Sequence, residues 1–256
     1  MYSYLSELLS DKKGGILFSC FGIWHLLYII AVIAVAICTI GWLKNKDQNC
    51  KNKTTKCFIC IAFGLYVADF FLMPFAYGEI DIEKLPFHIC TLTCVLCFLS
   101  RHNRFLDKYR SHIALLAFIS NLVYLIYPAG VMWYQVHPLS YRVVQTLIFH
   151  GVMTMYGLLV LIFDEQKLEW NKCYRDIVLL ALIVLWAILG NTLYNHEMGE
   201  TARFYNWFFV VRDPFYMLPE TIAPYIMPFI NITVFFAVEN LIYFILYLIR
   251  IKKERA

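Results

Sequence analysis

Residues 85–101 read LPFHICTLTCVLCFLSR, a Leu-Pro start followed by an apolar run that stops at Arg101. The run is short for a bilayer, which takes about 20 apolar residues of helix to cross. Its status decides the fold, because a crossing here makes the number of crossings odd and puts the two ends of the chain on opposite sides. Outward from it lie six further apolar windows, at roughly 22–43, 57–78, 111–129, 142–163, 176–194 and 218–249, each long enough to span.

The basic residues test the count. With segment 44–56 inside, the loops 101–110, 164–175 and 249–256 fall on the same side, and the four together carry sixteen of the 22 Lys and Arg. The opposite side keeps six: Lys12, Lys13, Lys84, Arg142, Arg203 and Arg212. An excess of this size is the positive-inside pattern. It predicts seven crossings, an outside N terminus and an inside C terminus. Without the short span, Arg101, Arg104, Lys108 and Arg110 would join Lys84 outside.

Composition agrees with a bilayer. The 256 residues are 61% hydrophobic and 16% charged, with mean hydropathy +0.63, whereas soluble domains carry about 25% charged residues. Too little charge is present to cover a water-facing surface. Disorder and a small disulfide scaffold are excluded, and a net charge of +4 gives no basic face for nucleic acid. The first span is longer than a signal-peptide core and is read as retained. Residues 1–13 place Tyr4, Leu5, Leu8 and Leu9 at helical spacing, which fits a short interfacial helix or a frayed tail. With no repeat and no long linker, 1–256 is expected to be one polytopic domain in the cell membrane.

Of nine cysteines only Cys20 falls clearly outside, so a reduced set is expected. Cys57 and Cys60 form a CxxC with no second pair, and no metal is assigned. Cys90, Cys94 and Cys97 share one helical stripe, which is a packing pattern.

Ionisable groups inside spans are costly, and so they point to function. His25, Asp69, His88, His150 and Glu239 qualify, with Asn121, Gln145, Asn191, Asn231 and Asn240 beside them. Counted from the outer end, His25 and His88 lie about 5 Å deep and His150 and Asp69 about 12–13 Å, while Glu239 belongs to the inner half. Pro86 opens the third helix, which puts the His88 ring in its first turn, near the positive dipole end that favours neutral imidazole. The four outer groups are expected to share a cavity. The outer loop 195–217 either caps that cavity or lies flat as an interfacial helix, and Pro214, Pro219, Pro224 and Pro228 kink or break the last span.

The stretch Leu85-Pro86-Phe87-His88-Ile89-Cys90 resembles the LPxHxC signature of the YwaF-like integral membrane proteins, which are grouped with the transmembrane protein 164 family. Trp24-His25-Leu26, Phe149-His150 and Gly190-Asn191 with Tyr194 agree, so the resemblance extends over nearly the whole chain. It implies acyl chemistry on lysophospholipids, which animal members carry out through the cysteine of a Pro-Cys-His motif. Here Phe87 stands at that cysteine's place, and Cys90 is a displaced candidate. Cys90 is two residues past His88, about 200° around a helix, so a base from another span, His25 or His150, would have to activate it.

The expected catalytic set is therefore His88 or His150 as base, His25 and Asp69 in support, and Cys90 as nucleophile. Asn191 and Tyr194 are expected to bind substrate. The partners expected are membrane lipids, with an acyl lipid as substrate, and no cofactor. A transporter or lipid-binding protein using the same cavity is the alternative from another class, favoured by Asp69 and the proline-rich last span.

Overall fold

The computed structural model describes residues 15–77, 81–132, 135–196 and 205–254, and every regular element among them is helical. The long helices are α1 (Ile23–Leu43), α2 (Gln48–Tyr77), α3 (Ile89–Ser100), α4 (Arg110–Ile126), α5 (Tyr141–Phe163), α6 (Tyr174–His196) and α7 (Ala223–Glu254). All but α3 supply a stretch long and apolar enough to cross a membrane, which makes six among the described residues. The helix expected over 1–13 lies outside the described residues.

Several boundaries differ from the sequence reading. Segment 44–56 is mostly helix rather than loop, because α2 starts at Gln48. Asp47 caps it, its Oδ1 accepting from the Cys50 N–H at 3.2 Å, and lysine, which ends an apolar window, is a good helix former. Pro86 lies ahead of α3 rather than in its first turn. The first helical bond runs from the Leu92 N–H to the His88 carbonyl, so His88 is the cap residue. With 12 residues, α3 is about 18 Å long. The last helix starts at Ala223 and continues through Pro228; Pro224 falls in its first turn, where a missing N–H costs nothing.

The chain forms two compact units. Unit 1 is drawn from the residues up to Lys84 and from Thr93–Glu165, and unit 2 from Leu85–Leu92 and the residues after Glu165.

In unit 1, α5 is buried along most of its length and packs closely on α4. Gly157 permits this, since a Cβ there would sit 2.7 Å from Phe118 Cβ and 2.8 Å from the Ala114 carbonyl. Small residues let bilayer helices approach backbone to backbone. By contrast α1 buries only His25 and Leu43 and is apolar all round, as a lipid-facing helix should be. At one end of the unit, Arg110 grips Asp164 with two bonds of 2.9 and 2.8 Å, and Arg101 donates to Thr55 Oγ1 at 3.1 Å. These arginines, read from sequence as loop charges, are half-buried partners of a buried carboxylate.

Unit 2 joins α6 and α7 to an irregular segment, 205–222, that contains one short 3-10 turn at Trp207–Phe209. The described part of the long loop is therefore not a flat interfacial helix.

Candidate functional site

The construction of unit 2 starts from two asparagines one turn apart on α6. Asn191 accepts from the Trp207 N–H at 3.0 Å and donates to the Trp207 carbonyl at 3.0 Å. Asn195 treats Tyr205 in the same way, at 2.8 and 2.9 Å. Residues four apart on a helix stand one above the other, so the two amides clasp alternate residues of the loop, much as a strand would. On the far side Asn231 of α7 donates to the Phe208 carbonyl at 2.7 Å. Asn206 folds the loop onto itself by accepting from the Val211 and Arg212 N–H groups, both at 3.1 Å.

His88 joins this framework. The Phe208 N–H donates to His88 Nδ1 at 3.3 Å, and the imidazole lies edge-on to Phe209. A nitrogen that accepts a main-chain N–H carries no proton, so this ring is the neutral tautomer with its proton on Nε2. Phe208 and Phe209 both have left-handed backbones, φ 55° and 51°. Two adjacent bulky residues at positive φ are strained, and they persist where the surroundings over-determine them. Here Asn191, His88 and Asn231 pin the main chain on three successive groups.

Phe87 builds the wall beside His88. It is buried and meets Trp186 (ring centroids 5.2 Å apart), Trp207 (4.9 Å) and Tyr194 (5.9 Å). Trp207 stacks in turn on Tyr205 at 4.7 Å. The Trp186 indole N–H donates to the Pro86 carbonyl at 2.9 Å, which ties the motif to α6. Gly190 makes room for the ring, since a Cβ at this position would overlap Phe87.

Beyond this wall, Asp213 holds a turn together. Its carboxylate accepts from the N–H groups of Phe215, Met217 and Leu218 at 2.9, 2.7 and 2.9 Å. These bonds favour the charged form, the one from Phe215 most, and hold the carboxyl below its ordinary range.

The other site residues named from sequence lie in unit 1. His25 is fully buried; its Nδ1 accepts from the Phe21 N–H at 2.9 Å, so Nε2 donates to the Leu125 carbonyl at 2.7 Å. Both ring nitrogens are thus used by main chain. His150 stacks on Tyr124 at 3.8 Å and donates through Nδ1 to Asn121 Oδ1 at 2.7 Å. The amide is oriented by its own bond to the Ala117 carbonyl, 2.7 Å, which leaves Nε2 as the acceptor nitrogen of His150. Both histidines therefore meet the same turn of α4, residues 121–125. Asp69, 2% exposed, pairs with Lys84 at 2.7 Å, and one turn away Tyr66 donates to the Lys84 carbonyl at 2.9 Å.

Of the site residues, His88, Cys90, Asn191 and Tyr194 thus belong to unit 2, and His25, Asp69 and His150 to unit 1. Cys90 is half-buried in the first turn of α3, whereas Cys94 and Cys97 of the same stripe are fully buried. Among the described residues no disulfide and no group of three metal-ligating side chains is present.

The TMEM164 family model matches residues 20–250. The chain belongs to the TMEM164 family. With its long apolar helices this makes it a polytopic membrane protein. No curated protein and no solved structure matches the chain. The matched span takes in both units and every site residue named above.

The sequence reading missed Asn195, Asn206 and Lys84. Asn195 carried one local signal, its four-residue spacing from Asn191, and Asn206 carried none. Lys84 carried none, because its partner Asp69 lies in a different helix.

Proposed function

We propose that this family member crosses the cell membrane seven times, with α3 as the short crossing, N terminus outside and C terminus inside, and that it acts on acyl chains of membrane lipids at the His88 site. The sixteen-to-six distribution of Lys and Arg supports the crossing number and orientation. The observation that carries the site is the neutral imidazole of His88, held by the strained Phe208–Phe209 backbone beside an aromatic wall.

In this tautomer the His88 proton sits on Nε2. Its role is to hydrogen-bond an acyl carbonyl and stabilise the oxyanion that forms when a lipid hydroxyl attacks, which differs from the base role drawn from sequence. His150, His25 and Asp69 belong to unit 1, the first bonded to Asn121, the second to main chain and the third to Lys84, and no part in the His88 step is assigned to them. Asn191 shapes the substrate wall through Trp207 rather than by direct contact, and Tyr194 is part of that wall. Cys90 is not required, and neither is a cofactor.

The test is acyl exchange by the purified chain in mixed phospholipid and lysophospholipid, read as new lipid masses. His88→Ala should lose about 10²–10³-fold, the scale of one oxyanion donor, while Cys90→Ala stays near wild type. Full turnover by His88→Ala would overturn the mechanism. A second reading, a lipid-binding or lipid-transporting protein without turnover, is favoured by one observation. The residue at the place of the resemblance's nucleophilic cysteine is Phe87, packed among aromatic rings. Saturable lipid binding with no new masses in the wild type would select that reading.

A further inference from the structure

Glu239 lies midway along α7, fully buried, and neither of its carboxyl oxygens has a hydrogen-bond partner. One turn further along the same face, Tyr243 donates its hydroxyl proton to Asp176 Oδ2 of α6 at 2.7 Å, and Asp176 is also fully buried. Among the described residues Asp176 is the ionisable group that bears on Glu239, and Cys173 also bears on Tyr243.

An ionised carboxylate without donors costs several kcal/mol in a dry interior, and a second carboxylate beside it adds repulsion. Asp176 has the donor and can hold the negative charge. Glu239 has none, and its charge must be cancelled by something that binds to it. Two oxygens of one carboxyl do not by themselves make a coordination shell for a metal cation. A proton needs no shell.

We propose that Glu239 is a proton-binding site: it carries its carboxyl proton on the same helix face as the Tyr243–Asp176 hydrogen bond. None of these residues belongs to the His88 site, and the proposal stands apart from the acyl-chain reading.

The test uses the full chain in phosphatidylcholine vesicles with dicyclohexylcarbodiimide, which reacts with protonated carboxyls in apolar surroundings, followed by peptide mass mapping. The expected result is an adduct on Glu239 that declines as pH is raised and is absent from Glu239→Gln. At a fixed pH Asp176→Asn should weaken the adduct, because the neighbouring charge no longer keeps the proton on Glu239. If Glu239→Gln does not fold, the wild-type map and Asp176→Asn decide. No adduct on Glu239 at any pH in folded protein would overturn the proposal. So would equal protection by sodium or potassium at constant pH, which would make this a metal-cation site.

Discussion

His150 of unit 1 is buried and His88 of unit 2 is half-buried, and the two units hold these histidines in opposite tautomers. In unit 1 His150 gives its Nδ1 proton to a side-chain amide of the neighbouring helix, and helix packs directly on helix around it. In unit 2 His88 accepts at Nδ1 from the main chain of a loop, and that loop is clasped by asparagines of α6 and α7. The difference teaches that the partner, not the depth in the bilayer, decides which nitrogen a histidine presents. A helix has spent its N–H groups on itself and leaves side chains to accept. A strained loop still has main-chain N–H groups to give.

The largest effect that would break this comparison is expected at Phe87. Phe87→Ala removes a buried ring that meets three others, and should cost unit 2 about 3–5 kcal/mol. Denaturant unfolding in detergent should register it, with faster amide exchange in 205–218 and little change in α4 and α5. A loss below about 1 kcal/mol, the scale of a modest core change, would mean that the aromatic wall does not hold the unit together.

A smaller effect sharpens the contrast between the two asparagines. Asn191→Ala strands the buried N–H and carbonyl of Trp207 and should cost about 1–3 kcal/mol. Exchange should rise at Trp207 and Phe208. Asn121→Ala should instead leave amide exchange in its helix nearly unchanged and release the His150 tautomer, visible in nitrogen chemical shifts of the ring. Similar exchange patterns in the two variants would erase the distinction between an amide that holds a loop and one that orients a ring.

The smallest effect concerns pH. The folded Asp213 carboxyl titrates below its unfolded value of about 3.9, so its contribution to the 213–218 turn is complete above that value. It drains away as pH falls through the lower folded value. Acidification should increase proteolysis of the turn, and Asp213→Asn should flatten that dependence. An acid response that survives in Asp213→Asn would assign it to another group.

Most helix positions were legible in the sequence because hydropathy is local: α1 and α5 fall within a residue of their predicted windows. The start of α2 was not, because lysines interrupt hydropathy without interrupting a helix. The start of α3 was missed by a few residues, since the proline was placed inside the first turn that it precedes. In the site, the sequence could name His25, His88, His150, Asp69 and Asn191 by the cost of polar groups in hydrocarbon, but not their partners.

The sequence by itself determined that this chain is a helical membrane protein and which few polar side chains it carries into the bilayer. Both follow from the transfer free energy of each residue, a property of composition and short windows. Only the tertiary structure decided what each polar group does. Leu125 lies a hundred residues from His25 and Phe208 a hundred and twenty from His88, and whether a nitrogen donates or accepts is settled by the atom opposite it. The same holds for Phe87, which Gly190 admits to the wall, and for Glu239, left without a donor on its face of α7. Hydrogen bonding and close packing act over a few ångströms between residues far apart in the chain, and no local pattern encodes which of them will meet.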